Sequence, residues 1–439
     1  MNAVPESAAA VWLDRVAFYA VMLLPLLLLH AHGIAEVAIA IADLCFLGRC
    51  AVMHDWRWLR TPWWRVAAIW WGWMMICSLP LPMLHLGEGH MRELVQAVVM
   101  VRFLVLLAAM EHMILRTIAA RTWLFRLVAA SSAWIILNSV VQLFTGRNLI
   151  GWPRGMDGVL SGPFGTPRAG PALARILIPS ILPPAANLLA RRRLLPVLGA
   201  YALLLLGVAI MVLIGQRMPL VITLLGLAVV AVLMPRLRPT VIAAAVAGAL
   251  LLAASPVVAP AAYQRQVAKF SFQLEHFAVS QYGELYARAW EIGLRNPITG
   301  LGYGGFNTGC KNPAYFRPSF DGSVKDGGGA PICWDHPHNY YFEALANGGF
   351  VGLALFAATA IAWLATLGQG LWREPRPMRV ALFAAAFLNL WPIASTTGFT
   401  SMPIGGWFFL LLGWGLAETR WRDQWQAQPS VGPESLRTR

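Results

Sequence analysis

Long apolar runs separated by short polar connectors dominate this chain, and twelve of them approach the length that crosses a bilayer. They lie near residues 14–30, 34–52, 65–83, 94–112, 123–144, 171–190, 194–214, 219–234, 239–259, 346–368, 378–396 and 402–418. Pro179, Pro183, Pro184 and Pro219 predict kinks, with the freed carbonyls buried in protein. No internal repeat of the kind common in inverted-repeat transporters is visible. The pattern predicts an all-α polytopic membrane protein of about twelve transmembrane helices, with a large helical loop between spans nine and ten. Residues 1–259 then hold spans one to nine, 260–345 the loop with a reactive segment, 346–418 the last three spans, and 419–439 a tail.

Composition sharpens this picture. With 58% hydrophobic and 12% charged residues and a mean hydropathy of +0.60, a soluble domain is excluded. The net charge of +14 comes largely from arginine, and in such a chain it marks cytoplasmic loops rather than a nucleic-acid surface. Connectors after the even-numbered spans hold thirteen arginines: 57, 60, 65, 116, 121, 191, 192, 193, 236, 238, 373, 376 and 379. The short and medium connectors of the other side hold five: Arg92, Arg147, Arg154, Arg168 and Arg217. The bias predicts cytoplasmic termini and odd-numbered connectors outside. The first apolar run contains Pro25 and leads into further spans, so it does not read as a cleavable signal peptide.

Two outside connectors are too long to be turns. One, about 145–170, is rich in Gly and Pro; the other covers 260–337. Within the second, Tyr263–Phe277 and Gln281–Leu294 read as helices, the latter stopped by Asn296-Pro297. Cys45, Cys50 and Cys77 belong to apolar spans and read as small hydrophobes. Cys310 and Cys333 share the outside loop, where a disulfide is permitted. Closing it would contribute roughly 3 kcal/mol and tether the irregular segment that follows. No CxxC, HExxH or third ligand beside His336 and His338 points to a metal.

The chemistry-bearing stretch is W-D-H-P-H-N-Y-Y-F-E-A-L-A-N-G-G-F-V-G-L, Trp334 to Leu353, where Asp335, His336, His338 and Glu343 abut an apolar run. Pro337 suits the first turn of a helix, which would put His338 near its positive end and favour a neutral imidazole. Neutral imidazole is what a general base requires; a mere cap at the membrane surface is the alternative. Glu284, Arg288, Glu291 and Arg295 fall on one helical face, as an exposed ion-pair stripe would. Arg265 and Lys269 are a similar pair. Arg217 stands in a minimal turn between two spans, where an arginine should face an anion or a water-filled cavity.

The run R-x-W…N-P-x-x-G-x-G…F (Arg288, Trp290, Asn296, Pro297, Gly300, Gly302, Phe306), followed by H-N-x-x…G-x-x-G-L (His338, Asn339, Gly349, Gly352, Leu353), resembles the O-antigen ligase and polymerase superfamily. Twelve spans with a large late outside loop resemble its ligase branch. The resemblance implies a glycosyltransferase of the bacterial inner membrane that moves O-antigen polysaccharide from undecaprenyl diphosphate to a sugar of lipid A–core, on the periplasmic face. It implies His338 as base and arginines 288, 265 and 217 at the diphosphate. Asn339 joins them at the substrate, with Arg168, Trp290 and Tyr341 as further candidates. Asn347 stands where many relatives carry a carboxylate, so no acid is assigned there.

Such a reaction suits these residues. A diphosphate is a good leaving group, so the enzyme has mainly to neutralise the charge developing on it, which arginine does through charge-assisted, often bidentate hydrogen bonds. The chain contains no D-x-D, which predicts metal-independent transfer with no cofactor. Direct displacement on an α-linked donor would invert the anomeric centre. A polymerase of the same superfamily, a protein-glycosylating relative, and a lipid-linked glycan transporter or flippase are the competing readings.

Overall fold

The computed structural model describes residues 7–84, 86–87, 91–155, 158–258, 260–319, 321–393 and 397–422. Most of the predicted tail, 423–439, therefore lies outside the described residues, as does His90 with its neighbours.

Seven helices are long and apolar enough to cross a membrane: Ala8–His30, Met91–Ile114, Ile118–Thr145, Ala169–Ala190, Leu194–Ile214, Pro235–Val257 and Tyr340–Gly368. Five more helices occupy the other predicted spans. His32–Met53 has the length but carries Glu36, Asp43 and Arg49. Pro62–Cys77, Arg217–Leu233, Pro377–Leu390 and Ile404–Arg420 run only 14 to 17 residues, or at most ~25 Å of rise against a hydrocarbon core of ~30 Å. The expectation of about twelve spans is thus met in part: the chain is an all-helical polytopic membrane protein whose shorter helices lean on their neighbours.

Ile404–Arg420 illustrates how. Every residue from Ile404 to Thr419 is buried, so this helix is sheathed by protein. Its polar end is matched there, with Arg121 to Glu418 at 3.2 Å and Arg420 to Glu111 at 3.6 Å. At its other end Phe399 is packed edge-on by Trp70, Tyr340 and Phe356.

Beyond the bundle, residues 260–338 form a small helical unit. The helix expected over 263–277 runs from Pro260 to Glu275, with one wider turn at Gln264–Ala268. Gln281–Arg295 follows, its N-terminus capped by the Ser280 hydroxyl at 3.2 Å. The unit has its own core of Leu285, Ala289, Ile292, Leu301, Phe306 and Cys310, closed from below by Ala346 of the Tyr340–Gly368 helix. Cys310 and Cys333 are joined by a disulfide with their Cα atoms 5.8 Å apart, while Cys45, Cys50 and Cys77 are free and buried.

Candidate functional site

The helix at the heart of the site does not begin where Pro337 suggests. Asn339 is its N-cap: the side-chain oxygen accepts from Tyr341 N at 2.9 Å and Phe342 N at 3.3 Å. An asparagine that satisfies two orphan donors outweighs a proline that merely tolerates the first turn. His338 consequently lies before the cap, in a left-handed conformation with φ 55° that non-glycine residues seldom adopt. Asn339 is held from the other side by its amide, which donates to the Pro392 carbonyl, and by the Tyr286 hydroxyl.

This geometry turns the His338 ring into an aromatic nest. Tyr282 lies 5.5 Å from it, His336 4.5 Å and Trp334 6.1 Å, all edge-on. Burial pushes the His336 imidazole down to about 4, and the neighbouring His338 lowers it further than Asp335 can restore. His336 is therefore neutral at ordinary pH and adds no positive charge beside His338.

Arg217 is linked to the same nest through space, by way of Tyr282. Arg217, the first residue of its helix, donates to Gln273 Oε1 at 2.5 Å and to the Lys269 carbonyl at 3.2 Å. Tyr282 and Arg265 both act on its guanidinium through space, and Phe270 lies 5.9 Å away. Tyr282 thus packs edge-on to His338 and also acts on the charge of Arg217, as Arg265 does. Sequence reasoning missed Tyr282; the signal available was a tyrosine six residues before Arg288 on the same predicted helix.

Arg288 is elsewhere in its environment. It is buried, and its guanidinium donates to the Cys310 carbonyl and to those of Asp326 at 3.1 Å, Gly327 at 3.4 Å and Gly329 at 3.4 Å, above the Phe316 ring at 4.1 Å. Burial pulls its pKa below the ordinary arginine value, and Glu284 and Asp326 oppose the shift. The exposed pair expected on that helical face is confined to Glu291 and Arg295, at 2.7 Å. Of the further candidates, Arg168 is exposed at the start of Ala169–Ala190 and its charge reaches His32. Trp290 packs on Phe350 at 5.7 Å, and Tyr341 donates to the Leu390 carbonyl at 2.8 Å. None of these three adjoins the His338 nest among the contacts described.

The glycine motif is explained by a long-range turn. Leu301 N bonds to the Ala346 carbonyl at 2.9 Å, Gly302 N to Asn347 at 3.0 Å and Phe350 N to Pro297 at 2.8 Å. The Tyr340–Gly368 helix is interrupted at Gly349 (φ 65°, ψ −166°) to receive this turn. A Cβ on Gly300 would lie 2.6 Å from the Ala346 carbonyl oxygen, and one on Gly349 would strike the carbonyls of Pro297 and Ile298. Asn347 completes the joint by accepting from Phe306 N at 3.2 Å. Gly349→Ala is expected to cost at least about 2 kcal/mol in this glycine-only region, read as a lowered melting temperature of the purified protein. An unchanged melting temperature would mean the joint does not hold the loop.

Near the nest lie the half-buried Glu343, part of the titratable cluster read from the sequence, and the buried Arg175, which that reading missed. Glu343 accepts from Phe399 N at 3.1 Å. Arg175 donates to the Pro171 carbonyl at 2.6 Å beside the Tyr340 hydroxyl. An arginine inside an apolar span is itself a functional signal. Among the described residues no three His, Cys, Asp or Glu side chains come together as metal ligands would.

Residues 202–357 match the family model described as O-antigen ligase. That stretch, about a third of the chain, is similar to the O-antigen ligase family. The matched stretch includes Arg217, Arg265, Tyr282, Arg288, His338 and Asn339. No curated protein matches the chain.

Proposed function

We propose that this protein is a lipid-linked polysaccharide ligase of the O-antigen ligase and polymerase superfamily in the bacterial inner membrane, with about twelve spans, cytoplasmic termini and its site on the periplasmic face. It transfers O-antigen from undecaprenyl diphosphate to a sugar hydroxyl of lipid A–core. The observation that carries the reading is that Tyr282, edge-on to His338 at 5.5 Å, also acts through space on Arg217, as Arg265 does, which supports diphosphate-binding charge near a base.

In the reaction the acceptor hydroxyl gives its proton to the neutral His338 imidazole as its oxygen bonds to the anomeric carbon. The bond from that carbon to the diphosphate breaks, and both electrons leave with undecaprenyl diphosphate. Arg217 and Arg265 offset the charge gathering on that leaving group. Attack opposite the leaving group inverts the anomeric centre. Asn339 orients His338 by fixing the helix start behind it, and Arg288 acts one step back, by holding the loop. The acceptor lies outside the membrane plane and the donor tail within it, so the donor enters laterally between helices.

The test is transfer in vitro with purified protein, lipid-linked O-antigen and lipid A–core. Glycan appearing on lipid A–core supports the ligase. Longer chains on the lipid carrier would make the protein a polymerase, and translocation without any new glycosidic bond would make it a flippase. Transfer is expected to proceed undiminished in excess EDTA, because arginines rather than a carboxylate-held ion neutralise the leaving group. Activity lost in EDTA and restored by magnesium or manganese would overturn that account.

A further inference from the structure

On the membrane face opposite His338, an open cavity of about 520 Å³ is lined by Asp14, Arg15, Tyr19, Arg116, Thr117 and Trp123, over a floor of Met113 and Ile114. Its position follows from the Ile404–Arg420 helix. That helix begins beside Phe399, whose N–H is bonded to Glu343 one turn after the Asn339 cap. It ends at Arg420, 3.6 Å from Glu111 in the turn that leads to Met113. The two ends are ~25 Å apart along the helix, so the cavity is separate from the transfer site.

The charge in the cavity is a built surplus. Asp14 is bound by Arg49 at 2.7 Å and by Arg116 at 3.1 Å, two guanidiniums on one carboxylate. Arg15 is exposed beside them and has no hydrogen-bond or ion-pair partner among the described residues. Planar guanidiniums of this kind recognise phosphate oxygens. The rim is aromatic and outward: Tyr19 is 65% and Trp123 54% exposed, and Arg126 sits over the Trp123 ring at 5.2 Å. Amphipathic rings of this sort settle at the headgroup level of a bilayer. The volume falls in the range of about 300–1,000 Å³ typical of small-ligand sites.

A freely soluble phosphate compound would have no use for the apolar floor and aromatic rim. A lipid uses both. We propose that this cavity holds the phosphodiester headgroup of an anionic membrane phospholipid, with Arg15 and Arg116 on the phosphate and the first acyl carbons against Tyr19 and Trp123.

The full-length protein in nanodiscs containing a diazirine-tagged phosphatidylglycerol tests this by mapping the labelled peptides. Label should concentrate on residues 11–19 and 113–123. Arg15→Glu should reduce it roughly tenfold and Arg15→Lys should retain it, while labelling at the exposed Ile361 stays constant in all three. Melting temperatures confirm that each variant is folded, and Arg15→Gln gives an intermediate loss if reversal disturbs the helix. Equal labelling by a tagged phosphatidylcholine, or label indifferent to Arg15→Glu, would overturn the proposal. Label displaced by excess inorganic phosphate would overturn it in favour of a soluble anion.

Discussion

Replacing His338 by alanine is expected to lower glycan transfer by roughly 10²–10⁴-fold, the span over which a positioned base accelerates a proton transfer. Donor binding should persist, because the proposed diphosphate contacts, Arg217 and Arg265, belong to other helices. His336→Ala should cost far less, although its ring lies 4.5 Å from His338. That imidazole is pushed down to about 4 by burial, so at pH 7 its removal changes shape but no charge, and His336→Phe should restore whatever packing is lost. Initial rates with purified lipids decide the matter. Similar losses in the His338 and His336 variants, or substantial turnover by His338→Ala, would remove His338 from the mechanism.

That contrast was partly legible in the sequence. The apolar runs showed where helices lie because spans read on composition alone, and Leu194–Ile214 coincides with its expected limits. The start of the helix after His338 did not read correctly. Two local signals compete there, a proline suited to the first turn and an asparagine suited to the cap, and only the bonds to Tyr341 and Phe342 show that the asparagine prevails. The glycines of the 296–302 turn announced a tight backbone, but not that they receive residues 346–350, some fifty positions later. Sequence spacing placed Arg288 and Arg295 on one helical stripe. It could not show that the first half of the stripe is covered by the 326–329 segment and the second is left in solvent. Arg175 and Tyr282 were legible in principle, one as a charge within a span, the other only through its fold-dependent neighbours.

The burial of Arg288 changes the reason for its importance and makes that reason measurable. Arg288→Ala deprives four backbone carbonyls of a donor, those of Cys310, Asp326, Gly327 and Gly329. Each unsatisfied carbonyl costs about 1–3 kcal/mol, less whatever water recovers; a net loss of about 3 kcal/mol in the loop is expected. Arg295→Ala removes only a half-exposed pair with Glu291, worth about 0.3–0.5 kcal/mol. Lysine at position 288 should rescue poorly, since a single ammonium cannot reach carbonyls spread around a planar fork. If the residue holds the loop, Arg288→Lys lowers the melting temperature and kcat together, and reducing the Cys310–Cys333 bond mimics it. If it instead contacts the diphosphate, Arg288→Lys raises the donor KM and leaves the melting temperature where it was. A variant showing the second pattern would return Arg288 to the substrate and leave the glycine-rich segment held by the disulfide.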